Sequence, residues 1–205
     1  MIVIGLTGSI GAGKTTVTRQ LRQCGAATLD SDRVVHQLLG IGGAAVKPVG
    51  ELFPAALDKD HIDRKKLGAE AFHDAEKMKS LEAILHPLVR KAQDAFIRRA
   101  RMRGKRFVVL DIPLLFETQG EKRCDATIVT TAPLFIQRRR VFSRPNMTEE
   151  KFARILAAQM PQHEKIKRAD FVVHTGLGKA QSLAQARRIL FCLTRETDRN
   201  ILCEK

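Results

Sequence analysis

Eight consecutive residues, Gly8-Ser9-Ile10-Gly11-Ala12-Gly13-Lys14-Thr15, carry the clearest chemistry in this sequence. They match the phosphate-loop pattern GxxxxGK[ST] at every fixed position. Such a loop binds phosphate by turning successive backbone N–H groups inward around an anion, a bend that glycines permit because they accept positive φ. A helix beginning near Gly13 adds the positive end of its dipole. Lys14 is then the residue that reaches the β- and γ-phosphates, and the Thr15 hydroxyl is a natural Mg2+ ligand. A glycine turn that bound nothing would explain neither the Lys-Thr pair nor its position between a strand and a helix.

The rest of the chain narrows the class. A GTPase needs an NKxD base-reading motif and a DxxG switch. Asn146 and Asn200 are followed by Met-Thr-Glu and Ile-Leu-Cys, and no Asp has Gly three residues later. The chain is also short for an ATPase motor, so a small-molecule kinase is the better class. Such kinases need a carboxylate near the γ-phosphate. Asp30-Ser31-Asp32 follows the second strand, and ligands of open parallel sheets gather outside the carboxyl ends of strands. One of these two aspartates is expected in the site and the other in support, because residues two apart on an extended chain face opposite ways. Alternatively one of them caps the following helix. Val108-Val109-Leu110-Asp111 resembles a Walker B strand, whose terminal carboxylate holds Mg2+ through water.

These residues need a scaffold, and the sequence alternates short apolar runs with helical stretches, the pattern of a parallel sheet with crossover helices. Strands are predicted at 2–6, 26–29, 107–110, 126–130 and 171–173. From Lys14, apolar positions Val17, Leu21 and Cys24 mark a helix face ending at Gly25. Residues 33–103 show no strand signal, with helical periodicity over 69–85 and 88–102; 133–167 is a basic helical segment. His86-Pro87 would start a helix, proline being favourable in a first turn.

Composition sets outer bounds. With 205 residues, 44% hydrophobic and 28% charged, the chain fits one globular domain and excludes disordered, collagenous and coiled-coil classes. No apolar run approaches the ~18 residues of a membrane span, and the N-terminus lacks the basic start of a signal peptide. The widely spaced Cys24, Cys124, Cys192 and Cys203 suit reduced thiols in the cytoplasm. Thirty-six Lys and Arg against 22 Asp and Glu leave +14, which means anionic company. The cluster Arg98, Arg99, Arg101, Arg103, Lys105 and Arg106 reads first as cations complementing a helix C-terminus. Ten Phe with no Trp or Tyr offer little stacking surface for nucleic acid. His163-Glu164 opens like HExxH, but Lys167 ends that reading.

Further motifs lie along the chain: the run from Leu6 to Val17, Leu29-Asp30-Ser31-Asp32, Leu85-His86-Pro87-Leu88-Val89 and Pro113-Leu114-Leu115-Phe116-Glu117. Gln137-Arg138-Arg139-Arg140 with Arg144 follows, then Gln159-Met160, Glu164-Lys165 and Ala169-Asp170. Together, over nearly the whole chain, they resemble the dephospho-CoA kinase family. The resemblance implies a three-layer α/β P-loop kinase fold with a five-stranded parallel sheet, and transfer of the ATP γ-phosphoryl group to the ribose 3′-hydroxyl of dephospho-CoA. ATP, with Mg2+, would lie on Gly8, Gly11, Ala12, Gly13, Lys14, Thr15 and Thr16, the metal on Thr15 and Asp111. Asp32 would be the acceptor base, with His86, Pro113, Leu114 and Glu117 beside the acceptor. The single domain would comprise a core (about 1–32, 104–136 and 168–205), a CoA-binding subdomain (about 33–103) and a lid (about 137–167). Arg140 and Arg144, four apart on one helix face, would swing to the transferring phosphoryl group, a charge worth ~10³ or more in rate.

The sequence departs from the family in two places. The loop has Ser9, Ala12 and Thr15 where many members have Gly, Ser and Ser, and His174-Thr175-Gly176 stands where many carry Asn beside a glycine near the base. The alternatives are shikimate kinase, whose Gly-Gly-Arg acceptor motif is missing here, and a nucleic-acid-stimulated ATPase. The expected protein is cytoplasmic, monomeric or weakly self-associating, without nucleic-acid or membrane partners.

Overall fold

The computed structural model describes residues 1–71 and 74–203, with side chains as far as 195. In chain order its elements are β1 (Ile2–Gly8), α1 (Lys14–Gln23), β2 (Ala27–Asp30), α2 (Ser31–Leu38), α3 (Val46–Leu52), β3 (Leu57–Asp58), β4 (His61–Ile62), α4 (Arg64–Ala71), α5 (Ala75–Met102), β5 (Phe107–Asp111), β6 (Ala126–Thr131), α6 (Leu134–Phe142), α7 (Glu149–Ala157), α8 (Gln162–Arg168), β7 (Phe171–His174) and α9 (Lys179–Cys203). They form two compact units, Met1–Leu29 with Ala100–Lys205, and Asp30–Arg99. Among the described residues no helix is long and apolar enough to cross a membrane.

The first unit is built on a five-stranded sheet in the order β2-β5-β1-β6-β7. β1 runs parallel to β5 and β6, and β6 parallel to β7. Every residue of β5 and β6 is buried, as their unbroken apolar runs require. Val17 and Leu21 of α1 and Ala186, Ile189, Leu190 and Leu193 of α9 share one core with Ile4, Leu6, Val109 and Ile128. The register sets Leu6 opposite Asp111 and Gly8 opposite Thr130. The ends of three strands therefore meet where the glycine loop begins. Just before β6, the Cys124 thiol donates to Gly120 O at 3.6 Å. Burial, helped by the Asp125 carboxylate, pushes it up to about 11. Cys24, Cys124 and Cys192 are free thiols; the side chain of Cys203 lies outside the described residues.

The basic helical stretch expected over 133–167 divides into three helices, α6, α7 and α8. Pro145 and Asn146, the latter at φ 59°, interrupt it after α6, and Pro161 starts α8. Thr148 caps α7 by accepting from Lys151 N at 3.3 Å.

The second unit packs Leu39, Val49, Phe53, Ile62, Leu67 and Leu81 into its own core. Two expectations are corrected here. Leu57–Asp58 and His61–Ile62 pair as a small antiparallel hairpin, turning through Lys59 at φ 55°; strands of two residues are too short to leave a period. Pro87 does not start a helix but sits inside the 28-residue α5. An interior proline costs about 3 kcal/mol. Met78, Leu81, Ile84, Leu85 and Leu88, on both sides of it, all pack into this core. Leu81 is buried and the other four are partly buried; at up to about 2 kcal/mol each, their burial together offsets the cost of the interior proline.

Candidate active site

Between the end of β1 and the start of α1, residues 9–13 turn back on themselves, with Ala12 N donating to Ser9 O at 2.9 Å. Gly11 and Gly13 take φ of 76° and 87°. Space is as restrictive as torsion: a Cβ on Gly11 would come within 2.7 Å of Gln137 O, and one on Gly13 within 2.8 Å of Thr175 Oγ1. Only glycine meets both conditions. Gly13 is the N-cap of α1 and provides no side-chain cap, so the helix presents its first amides and dipole to the cradle. The Lys14 ammonium pairs with Asp111 at the end of β5. Asp111 is nearly buried, and its second oxygen accepts the Thr18 hydroxyl at 2.7 Å.

Three long-range clamps hold the loop from outside. Thr175 Oγ1 donates to Ala12 O at 2.8 Å and accepts from Arg140 Nη1 at 2.9 Å. The same guanidinium donates to Gly11 O at 3.2 Å and to Thr175 O at 2.8 Å. Gln159 Oε1 accepts from Ile10 N at 3.1 Å, and Gln162 Oε1 from Ser9 N at 3.3 Å while its amide donates to Thr130 O at 3.2 Å. Behind the glutamines lies a buried ion pair. Lys165, with no exposed side-chain surface, donates to Glu117 Oε1 at 2.9 Å and to Pro113 O at 3.3 Å. Glu117 Oε1 also accepts from Met160 N at 2.7 Å, and Pro113 O accepts from Thr7 Oγ1 at 2.9 Å.

In the second unit, Asp30 caps α2 by accepting from Arg33 N at 3.1 Å, and Asp32 lies exposed in the first turn. His36 follows one turn later and accepts a hydrogen bond from Arg64 Nη1 at the start of α4. His86 is half-buried on α5, one residue before Pro87.

The family model for dephospho-CoA kinase matches residues 2–179. The chain belongs to the dephospho-CoA kinase family. It is 49% identical over 190 residues to a dephospho-CoA kinase of Mesorhizobium japonicum, covering 93% of this chain and 95% of that protein. A crystal structure from Thermus thermophilus superposes with a TM-score of 0.84 at 36% identity, covering 93% of this chain and 96% of the other. The dephospho-CoA kinase of Campylobacter jejuni does so at 0.71 and 25%, covering 95% and 98%.

Read as a dephospho-CoA kinase, the chain holds several expected residues in ways that its spacing did not indicate. Asp30 and Asp32 do not alternate along a strand. The chain becomes helical at Ser31, so Asp30 is a cap and Asp32 a helical residue. Arg144 does not share a helix face with Arg140: α6 ends at Phe142, Ser143 caps it, and Arg144 stands exposed beyond it. The break follows from Pro145, which disfavours helical backbone at the residue before it. Leu114 is exposed while Leu115 and Phe116 are buried.

Thr18, Gln162 and the clamping role of Thr175 escaped the sequence reading. Thr18 is four residues beyond Lys14 on α1, a polar side chain on a buried face, and that mismatch was its signal. Thr175 and Gln162 carry no local signal, because their partners lie 163 and 153 residues away.

Proposed function

We propose that this kinase transfers the γ-phosphoryl group of ATP to the ribose 3′-hydroxyl of dephospho-CoA, giving CoA and ADP. The observation that carries the reading is the glycine cradle with Lys14 braced on Asp111 at the neighbouring strand end, in a chain of this family. In the reaction a bond forms between O3′ and the γ-phosphorus, and the bond from that phosphorus to the β,γ-bridging oxygen breaks. Asp32 takes the 3′-hydroxyl proton; such proton transfer is worth roughly 10²-fold or more. Lys14 turns from Asp111 to the β- and γ-phosphates, with Gly8, Gly11, Ala12, Gly13, Thr15 and Thr16 around them. Arg140 fixes the loop from outside, next to the forming charge.

Mg2+ fits the residues present. Thr15 and Asp111 offer hard oxygen donors, and among the described residues there is no cluster of three or more His, Cys, Asp or Glu. That suits an ion carried in by nucleotide phosphates and steadied by one or two protein oxygens. When bound, it neutralises charge on the β- and γ-phosphates. In this reading the unit Asp30–Arg99 takes the acceptor, with His86, Pro113, Leu114 and Glu117 contributing, and α6–α8 with Arg144 form the lid. The enzyme works in the cytoplasm as a monomer or weak oligomer, without nucleic-acid or membrane partners.

The test is coupled ADP release with ATP and Mg2+, comparing dephospho-CoA with shikimate, adenosine, AMP and single-stranded DNA. Turnover with dephospho-CoA alone supports the reading, and turnover only with another acceptor overturns it. Asp32→Asn should lower turnover about 10²-fold with little change in ATP affinity; near-normal turnover would leave Asp32 as no more than a first-turn residue of α2.

A further inference from the structure

Arg64 is exposed at the start of α4, and the backbone just before it is bonded into the second unit. Ile62, two residues earlier, is 3% exposed in the core, and its N–H donates to Leu39 O at 2.9 Å. Asp63 N donates to Ala56 O at 2.8 Å. The Asp63 carboxylate caps α4, accepting from Lys65 N at 2.8 Å and Lys66 N at 3.4 Å, and these bonds hold it below the usual carboxylate range. From this fixed base the guanidinium reaches across to the His36 imidazole on α2. A guanidinium can only donate, so Nε2 of His36 is the acceptor of this hydrogen bond. An exposed cation with a pinned base and a fixed head has already lost much of the freedom that binding would otherwise remove.

His36 is four residues beyond Asp32, and both are exposed on α2. That spacing sets them on one face, about 5–6 Å apart, roughly the width of a ribose. We propose that Arg64, oriented by His36, grips the diphosphate of the acceptor nucleotide. The assignment rests on the acceptor reading above. Dephospho-CoA carries its diphosphate on the 5′ side of the ribose whose 3′-hydroxyl reacts. A cation that binds the one must therefore stand about a sugar's width from the base that serves the other. The planar fork of arginine suits two phosphate oxygens, and a lysine would offer only a point charge.

The experiment measures initial rates with both substrates varied, and calorimetric binding of dephospho-CoA and of adenosine, which lacks the diphosphate. Full-length wild type is compared with Arg64→Ala, Arg64→Lys and His36→Phe. Arg64→Ala should raise KM for dephospho-CoA roughly 10- to 100-fold, leave KM for ATP within about twofold, and leave adenosine binding unchanged. Arg64→Lys should recover part of the loss, and His36→Phe should show a smaller loss of the same selectivity. An unchanged KM for dephospho-CoA in Arg64→Ala, or equal weakening of adenosine and dephospho-CoA, would overturn the assignment. Wild type that neither binds nor phosphorylates dephospho-CoA would overturn the reaction and this assignment together; wild type active on it with Arg64→Ala unaffected would overturn this assignment alone.

Discussion

Glu117→Gln removes one charge from a pair whose other member has no water to turn to. Lys165 is wholly buried, its ammonium 2.9 Å from Glu117 Oε1 with Pro113 O next at 3.3 Å. After the substitution only carbonyl oxygens face the ammonium, and an uncompensated buried charge costs about 3–5 kcal/mol. Lys165→Met strands the other charge in the same way. Glu117 Oε1 keeps the Met160 N–H at 2.7 Å, but Oε2 is buried without a partner, so a loss of about 3–5 kcal/mol is expected here too. The double variant Glu117→Gln/Lys165→Met buries no charge and should be more stable than Glu117→Gln alone. For a chain of this size each kcal/mol moves Tm by roughly 2–4 °C, so Glu117→Gln should melt about 10 °C below wild type. Calorimetric Tm of the four proteins measures the cycle. Glu117→Gln within about 2 °C of wild type, or single losses that simply add in the double variant, would refute the buried-pair reasoning.

Lys14→Ala should cut turnover by about 10³-fold or more while circular dichroism stays native; residual activity of more than a few per cent would refute its phosphate role. Thr175→Val removes the hydroxyl bonded to Ala12 O and Arg140 and should cost about 1–2 kcal/mol. It should raise KM for ATP several-fold without changing the KM for dephospho-CoA, which two-substrate kinetics would show. The Cys124 thiol, raised from an ordinary 9.0 to about 11, gives an alkaline signature. The unfolded thiol ionises from about pH 9, whereas the folded one stays neutral until about 11. Stability present below pH 9 is therefore lost as pH rises towards 11, by about 2–3 kcal/mol. Urea titrations from pH 8 to 11 should show this loss in wild type and a flatter profile in Cys124→Ala; identical slopes would refute the cause.

Whatever depends on neighbours within a turn or two was legible in the sequence alone. The glycine spacing of the loop, the five apolar runs and the stop at Gly25 are local, and the structure places loop and strands where those patterns put them. The order of the strands, and hence which carboxylate stands beside Lys14, is not local: Asp111 is 97 residues away in the chain. The same holds for Thr175 on Ala12 and for Lys165 beneath Glu117. Two local signals pointed the wrong way. Pro87 reads as a helix boundary but is carried through by core packing on both sides of it. Arg140 and Arg144 read as one helix face, but Pro145 ends α6 before the second. Local spacing encodes the backbone that each segment prefers. Sheet order and burial decide which side chains meet, and where burial outweighs a local preference, as at Pro87, the fold follows the burial.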